Sequence, residues 1–149
     1  MQISIRQIRF AVVLRNIMRI SDSLRLQTGT LLVAVYGTLK KGFANHALMA
    51  QAQFLGCDKL AQICLYDIGP YPGARLEVSA GIDVEVYAIS QTHLAELDLL
   101  EEYDPSTPAS SLYTRALLPT RYGLAWVYLY QGQISGKPCL RSGTWQPQS

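Results

Sequence analysis

At 149 residues, with 49% hydrophobic and 16% charged side chains, the chain has the length of one domain and enough apolar content to fold without disulfides or a structural metal. With only 11 Gly and 7 Pro, it fits neither a fibrous repeat nor a disordered chain. The net charge of +2 is uneven: Arg6, Arg9, Arg15, Arg19 and Arg25 stand against Asp22 alone in residues 1–30, so this segment carries +4 and the remainder −2, which excludes a basic nucleic-acid-binding body.

Residues 1–29 read as a basic N-terminal extension outside the core, with Met18 as an alternative start, and residues 30–149 as the folded domain. The longest apolar runs, Phe10 to Leu14 and Leu31 to Tyr36, are too short to span a membrane, and the first is too short for a secretory signal. The expectation is a cytoplasmic protein with no membrane partner.

The run Leu31 to Tyr36 predicts a strand buried on both faces, ended by Gly37. Gly37 to Gly42 predicts a loop, and Asn45 to about Gln53 a helix with Asn45 as its N-cap. Ala61 to Ile68 reads as a strand and Gly69 to Gly73 as a turn. Arg75 to Ser79 and Ile82 to Ile89 suggest a hairpin around Ala80-Gly81. Ser90 to Tyr103 has helical spacing, Asp104 to Ser111 reads as a loop, and Leu112 to Leu118 and Leu124 to Tyr130 as strands. The expected fold is α+β: a small mixed sheet closed toward a β-barrel with flanking helices.

Cys57, Cys64 and Cys139 form no C-x-x-C, and with only His46 and His93 besides them no metal site is expected; reduced, buried thiols are the simpler reading. Neither histidine has a catalytic context, and no G-x-S-x-G occurs. Gly37 and Gly42 have phosphate-loop spacing, but Phe43 and Ala44 follow where Lys and Ser or Thr are required. Backbone amides of Gly37, Thr38 and Leu39 can nonetheless form an anion-binding nest, with a plain tight turn as the alternative.

A helical wheel over Ser90 to Tyr103 puts Leu94, Leu97 and Leu100 on one stripe, and Glu101 points into it. A carboxylate on an apolar face is paired, hydrogen-bonded or raised in pKa, and the last state suits a general base near neutral pH. The pattern leaves open an edge position with the tip in water or paired to Arg115. Asp98 could repel Glu101, although the pattern favours a surface or capping group. Trp126, Tyr128 and Tyr130 share a strand face and could wall a pocket, with core packing favoured.

The segment Val35-Tyr36-Gly37-Thr38-Leu39-Lys40-Lys41-Gly42, followed by Asn45-His46, resembles the opening motif of the γ-glutamylcyclotransferase-like superfamily, in particular its AIG2-like and γ-glutamylamine cyclotransferase branch. Tyr71-Pro72-Gly73, Glu85-Val86-Tyr87, Leu97 to Tyr103, Tyr113-Thr114-Arg115 and Ala125 to Tyr130 follow in the same order. The resemblance implies a compact α+β fold with a small barrel and a pocket for a small γ-glutamyl substrate, working without a cofactor. It implies that Tyr36, Gly37, Thr38 and Leu39 bind the substrate and that Glu101 is the proton acceptor. The reaction so implied is attack of the substrate's α-amine on its own γ-carbonyl, releasing 5-oxoproline and an amine. Two departures stand out: Glu102 and Val84 occupy positions where the superfamily usually has glycine. A non-catalytic metabolite-binding protein using the same pocket is the alternative.

Overall fold

The computed structural model describes residues 31–147, so the expected basic extension lies outside the described residues. The described elements are β1 (Leu31–Val35), β2 (Gln53–Leu60), β3 (Cys64–Asp67), β4 (Pro72–Arg75), β5 (Ile82–Ile89), helix α1 (Gln91–Leu100), β6 (Tyr113–Thr120), β7 (Gly123–Tyr130) and β8 (Cys139–Leu140). Two sheets result, a five-stranded one in the order β2-β5-β1-β7-β6 and a three-stranded one in the order β4-β3-β8.

The aliphatic run of β1 takes a central place, antiparallel to β5 and parallel to β7. Its residues alternate between two cores, as a strand covered on both faces requires. Ala34 and Tyr36 join Ile63, Leu65, Ala74, Val84, Val86, Ala125, Val127 and Trp145 on one side. Val33 and Val35 join Tyr87, Leu94, Leu97, Tyr113, Tyr128 and Tyr130 on the other, where α1 packs.

The strands do not close into a barrel. The edge strand β2 approaches the β6–β7 turn without a backbone ladder: the Arg121 amide donates to the Asp58 carboxylate at 2.9 Å, and the Tyr122 hydroxyl sits where a Cβ on Gly56 would stand. Gly56, with φ of 149°, marks an irregular register in β2 that bends the strand toward this contact without a ladder. The flanking helices reduce to α1 and two 3₁₀ turns, His46–Met49 and Pro108–Ser110.

The predicted helix over 45–53 is replaced by the first of those turns and the start of β2. Asn45 does not cap it; its side-chain amide donates to Thr38 Oγ1 at 2.9 Å and ties down the preceding loop. The strand expected over 61–68 shortens to β3, and Pro72–Arg75, read as the end of a turn, pairs with it as β4. Residues 75–79 form no hairpin with β5, whose edges are already taken by β2 and β1, and Leu76 and Val78 are left exposed. Strands β2 and β8 were not anticipated. Of the three free cysteines, Cys64 is buried as expected, whereas Cys57 and Cys139 are exposed on strands at or near sheet edges.

Candidate active site

Helix α1 opens at Ser90, whose side chain accepts from the His93 amide at 3.0 Å, satisfying an otherwise unpaired N-terminal donor. Its far end is closed by a paired set of backbone bonds, Tyr103 N–H to the Asp98 carbonyl at 2.9 Å and Glu102 N–H to the Leu99 carbonyl at 3.3 Å. This is the Schellman arrangement, and it requires a left-handed residue, here Glu102 with φ of 51°. The departure from glycine at 102 thus falls where a side chain is strained. Glu101, immediately before it, is held at the last turn of the helix with its own N–H bonded to Leu97 O at 2.9 Å.

The buried stripe of α1 is Leu94, Leu97 and Asp98, with Glu101 one turn on, the i, i+3, i+4, i+7 pattern of a helix face. Leu100, assigned to the stripe from sequence, is 38% exposed. Asp98, read as a surface or capping group, is fully buried. The difference is physical: a carboxylate can occupy the centre of a helix face when donors meet it, and three do. Arg115 Nε and Nη2 donate to its two oxygens at 3.0 and 3.3 Å, and the Tyr128 hydroxyl donates to Oδ1 at 2.5 Å. Arg115 is therefore the partner of Asp98 rather than of Glu101. Its guanidinium also lies over the rings of Trp126 and Tyr103, 4.1 and 5.2 Å from their centroids.

Glu101 faces a small, solvent-open pocket, lined also by residues 34–39, Tyr71, Pro72, Tyr113 and Tyr128. The sequence-predicted set of Glu101, Tyr36, Gly37, Thr38 and Leu39 is therefore brought together in one cavity. Among the described residues, no hydrogen bond or ion pair reaches the Glu101 carboxylate. Burial, reinforced by the negative charge of Asp98, pushes its pKa up to about 7. Asp98 is itself pushed up to about 6 by burial, against the opposing pull of Arg115 and Tyr128. Of the two carboxyls, Glu101 is the one without a donor among the described residues, and it holds a proton to higher pH.

The loop opposite Glu101 is fixed from three directions. The Lys40 amide closes a turn onto Gly37 O at 3.1 Å, the Asn45 amide reaches Thr38 O at 2.8 Å, and His46 Nδ1 contacts Leu39 O at 2.9 Å. Among the described residues, no turn, loop or side-chain acceptor takes up the amide N–H groups of Gly37, Thr38 and Leu39. These are the donors an anion would use. A Cβ on Gly37 would lie 2.8 Å from the Pro72 ring, so only glycine lets the loop pack this tightly. Tyr36 is buried, donating its hydroxyl to the Tyr128 carbonyl at 2.7 Å, and burial holds its phenol well above the usual range.

A model of the family described as γ-glutamyl cyclotransferase, AIG2-like, matches residues 33–147. The chain belongs to this family. Among family members, the γ-glutamylcyclotransferase family protein YtfP of Escherichia coli K12 is 37% identical over 113 residues, covering 76% of this chain and 94% of that protein. The solution structure of E. coli YtfP superposes with a TM-score of 0.61 over 77% of this chain and 96% of that one. The γ-L-glutamyl-butirosin B γ-glutamyl cyclotransferase of Niallia circulans is 35% identical over 103 residues, 64% of each chain. A mouse AIG2-like protein shares the fold at a TM-score of 0.62 and 23% identity, covering 76% of this chain and 87% of that one. Family membership supports an enzyme of the γ-glutamylcyclotransferase type.

Sequence reasoning missed Tyr71, Pro72 and Tyr113 as wall residues and the Asp98–Arg115–Tyr128 cluster behind the wall. Tyr128 carried a signal, since it was one of three aromatics on a strand face. Asp98 carried only its i+3 relation to Glu101.

Proposed function

We propose that the protein is a γ-glutamyl cyclotransferase that converts a small γ-glutamyl amine or γ-glutamyl amino acid into 5-oxoproline and a free amine, with Glu101 as general base and acid. The observation that carries this reading is a carboxyl with no donor among the described residues, pushed up to about 7 by burial and the charge of Asp98, facing loop 37–39 across one pocket. A relative named for cyclotransferase action on a γ-glutamyl compound supports the substrate class.

In this reading the substrate's α-carboxylate sits against the amides of Gly37, Thr38 and Leu39, with Tyr36 forming the adjoining wall. Ionised Glu101 takes a proton from the α-ammonium, and the freed amine attacks the γ-carbonyl carbon, forming the ring C–N bond. As the tetrahedral centre collapses, the ring nitrogen gives up a second proton; relayed through Glu101, both protons lost by the α-ammonium end on the departing nitrogen, which leaves as an ammonium when the original C–N bond breaks. Nucleophile and electrophile belong to one molecule, so holding the substrate folded supplies much of the acceleration. A carboxyl that titrates near neutral pH is suited to both proton transfers.

The test is incubation with a panel of γ-glutamyl amines, γ-glutamyl amino acids and glutathione, with chromatographic detection of 5-oxoproline. At least one member should yield 5-oxoproline and amine in equal amounts, with kcat/KM rising as pH increases through about 7, where Glu101 loses its proton. Saturable binding without product from any member would replace this reading by a metabolite-binding protein.

A further inference from the structure

The cluster behind the pocket suggests how the base is tuned. Resting on the reading of Glu101 as the base, we propose that Asp98, clamped by Arg115 and Tyr128, is a positioning residue that sets the proton affinity of Glu101 from within the core.

Three observations meet here. First, Asp98 lies one turn before Glu101 on the same face of α1 and is fully buried, so its charge acts through protein rather than water. Second, its ionised form is held by two Arg115 donors and the Tyr128 hydroxyl, a set that neutral Asn could not fully engage. Third, Arg115 is engaged by Asp98 rather than Glu101: its guanidinium donates to both Asp98 oxygens and lies over the rings of Trp126 and Tyr103. The cation therefore keeps Asp98 ionised and leaves Glu101 facing a nearby anion.

Among the described residues, the remaining groups around Glu101 do not supply that charge. Tyr36 at the end of β1, Tyr71 before β4, Tyr113 on β6 and Tyr128 on β7 face it, and burial raises all four phenols, which stay neutral through the range in which Glu101 titrates. Glu102 is exposed at the rim, where solvent screens it. Tyr128 belongs both to the pocket wall and to the Asp98 cluster, so the two layers share one side chain.

The experiment is a carbon-13 NMR titration of the Glu101 carboxyl in the intact, substrate-free protein, which reads the proposal whether or not turnover is found. Asp98→Asn should move the Glu101 midpoint to lower pH by about one unit or more, because the repelling charge is gone. Arg115→Lys, which retains the cation, should stay nearer the wild-type midpoint than Asp98→Asn does. If Asp98→Asn does not fold, Arg115→Met serves: Asp98 without its cation should take up a proton itself near neutral pH, giving two coupled carboxyl titrations. An unchanged Glu101 midpoint in folded Asp98→Asn, or a single unchanged curve in Arg115→Met, would overturn the proposal and leave the cluster a structural tie. Where 5-oxoproline release is observed, the midpoint of the pH–rate profile should move with the NMR midpoint. Absence of turnover would count against the proposed function while leaving the titration valid.

Discussion

The five-stranded sheet buries aliphatic side chains on both faces, yet the two faces do different jobs. Toward the β3–β4–β8 sheet the packing is mainly aliphatic, with Ile63, Leu65, Val84, Val86, Ala125 and Val127 gaining by leaving water, and Tyr36 and Trp145 the polar-tipped exceptions. Toward α1 the same strands pack Tyr113, Tyr128 and Arg115 around Asp98, and among the described residues none donates to Glu101. Burying an unpartnered carboxyl costs stability unless it stays protonated, so this face gives up folding energy for a group of altered acidity. The contrast teaches that the first core is where stability resides and the second where chemistry is set.

The sharpest way to separate the faces is Glu101→Gln. It should reduce 5-oxoproline release by about 10²- to 10⁴-fold, the usual contribution of a general base, while the melting temperature is unchanged or higher. A variant that retained turnover would erase the distinction. The complementary change is Leu65→Ala, in the fully buried apolar core, expected to lower unfolding free energy by about 2–5 kcal/mol in urea titration with kcat per folded molecule unaltered.

Stability against pH compares the faces without assaying turnover. Burial and the charge of Asp98 push Glu101 up to about 7 in the folded state from its ordinary 4.5 when unfolded, so the folded state binds the extra proton between these pH values. Its contribution to stability is therefore greatest at low pH and falls as pH rises through 7. Relative to Glu101→Gln, the wild type should lose up to about 3 kcal/mol between pH 5 and pH 8, measured by denaturant unfolding of both proteins. A constant difference would mean that the site face carries no such cost. The smallest effect expected is from Glu102→Gly, which relieves the left-handed strain at φ of 51° and should raise stability by about 1 kcal/mol or less, seen as a small rise in Tm.

Much of this was legible in the sequence where a residue's own neighbours decide its state. β1, β5, the β6–β7 pair and α1 follow from aliphatic runs and periodicity, and Glu101 from its place seven residues after Leu94. β2 was not legible because it is a half-exposed edge strand that exists by pairing with β5, and its residues carry no strong alternation. β8 is two residues long and forms only against β3. Asp98 was misread for a related reason: its burial is made possible by Arg115 and Tyr128 on neighbouring strands, which no pattern within α1 reveals. Local periodicity thus located Glu101 and raised Asp98 as its neighbour, but did not reveal the Arg115 and Tyr128 donors that allow Asp98 to be buried.

The parallel pairing of Val33 in β1 with Trp126 in β7 joins nearly opposite ends of the described chain. Trp145 adds a closure of the same kind, packing on Phe43 with ring centroids 6.1 Å apart and donating to Asp67 Oδ1 at 3.3 Å. During synthesis β1 can meet β5 early, but its other edge must wait until β7 has emerged from the ribosome. Until then a strand rich in valine and leucine presents open backbone groups to its surroundings. A topology dominated by such distant contacts folds slowly, and the waiting edge makes the nascent chain a natural client for chaperones at high expression.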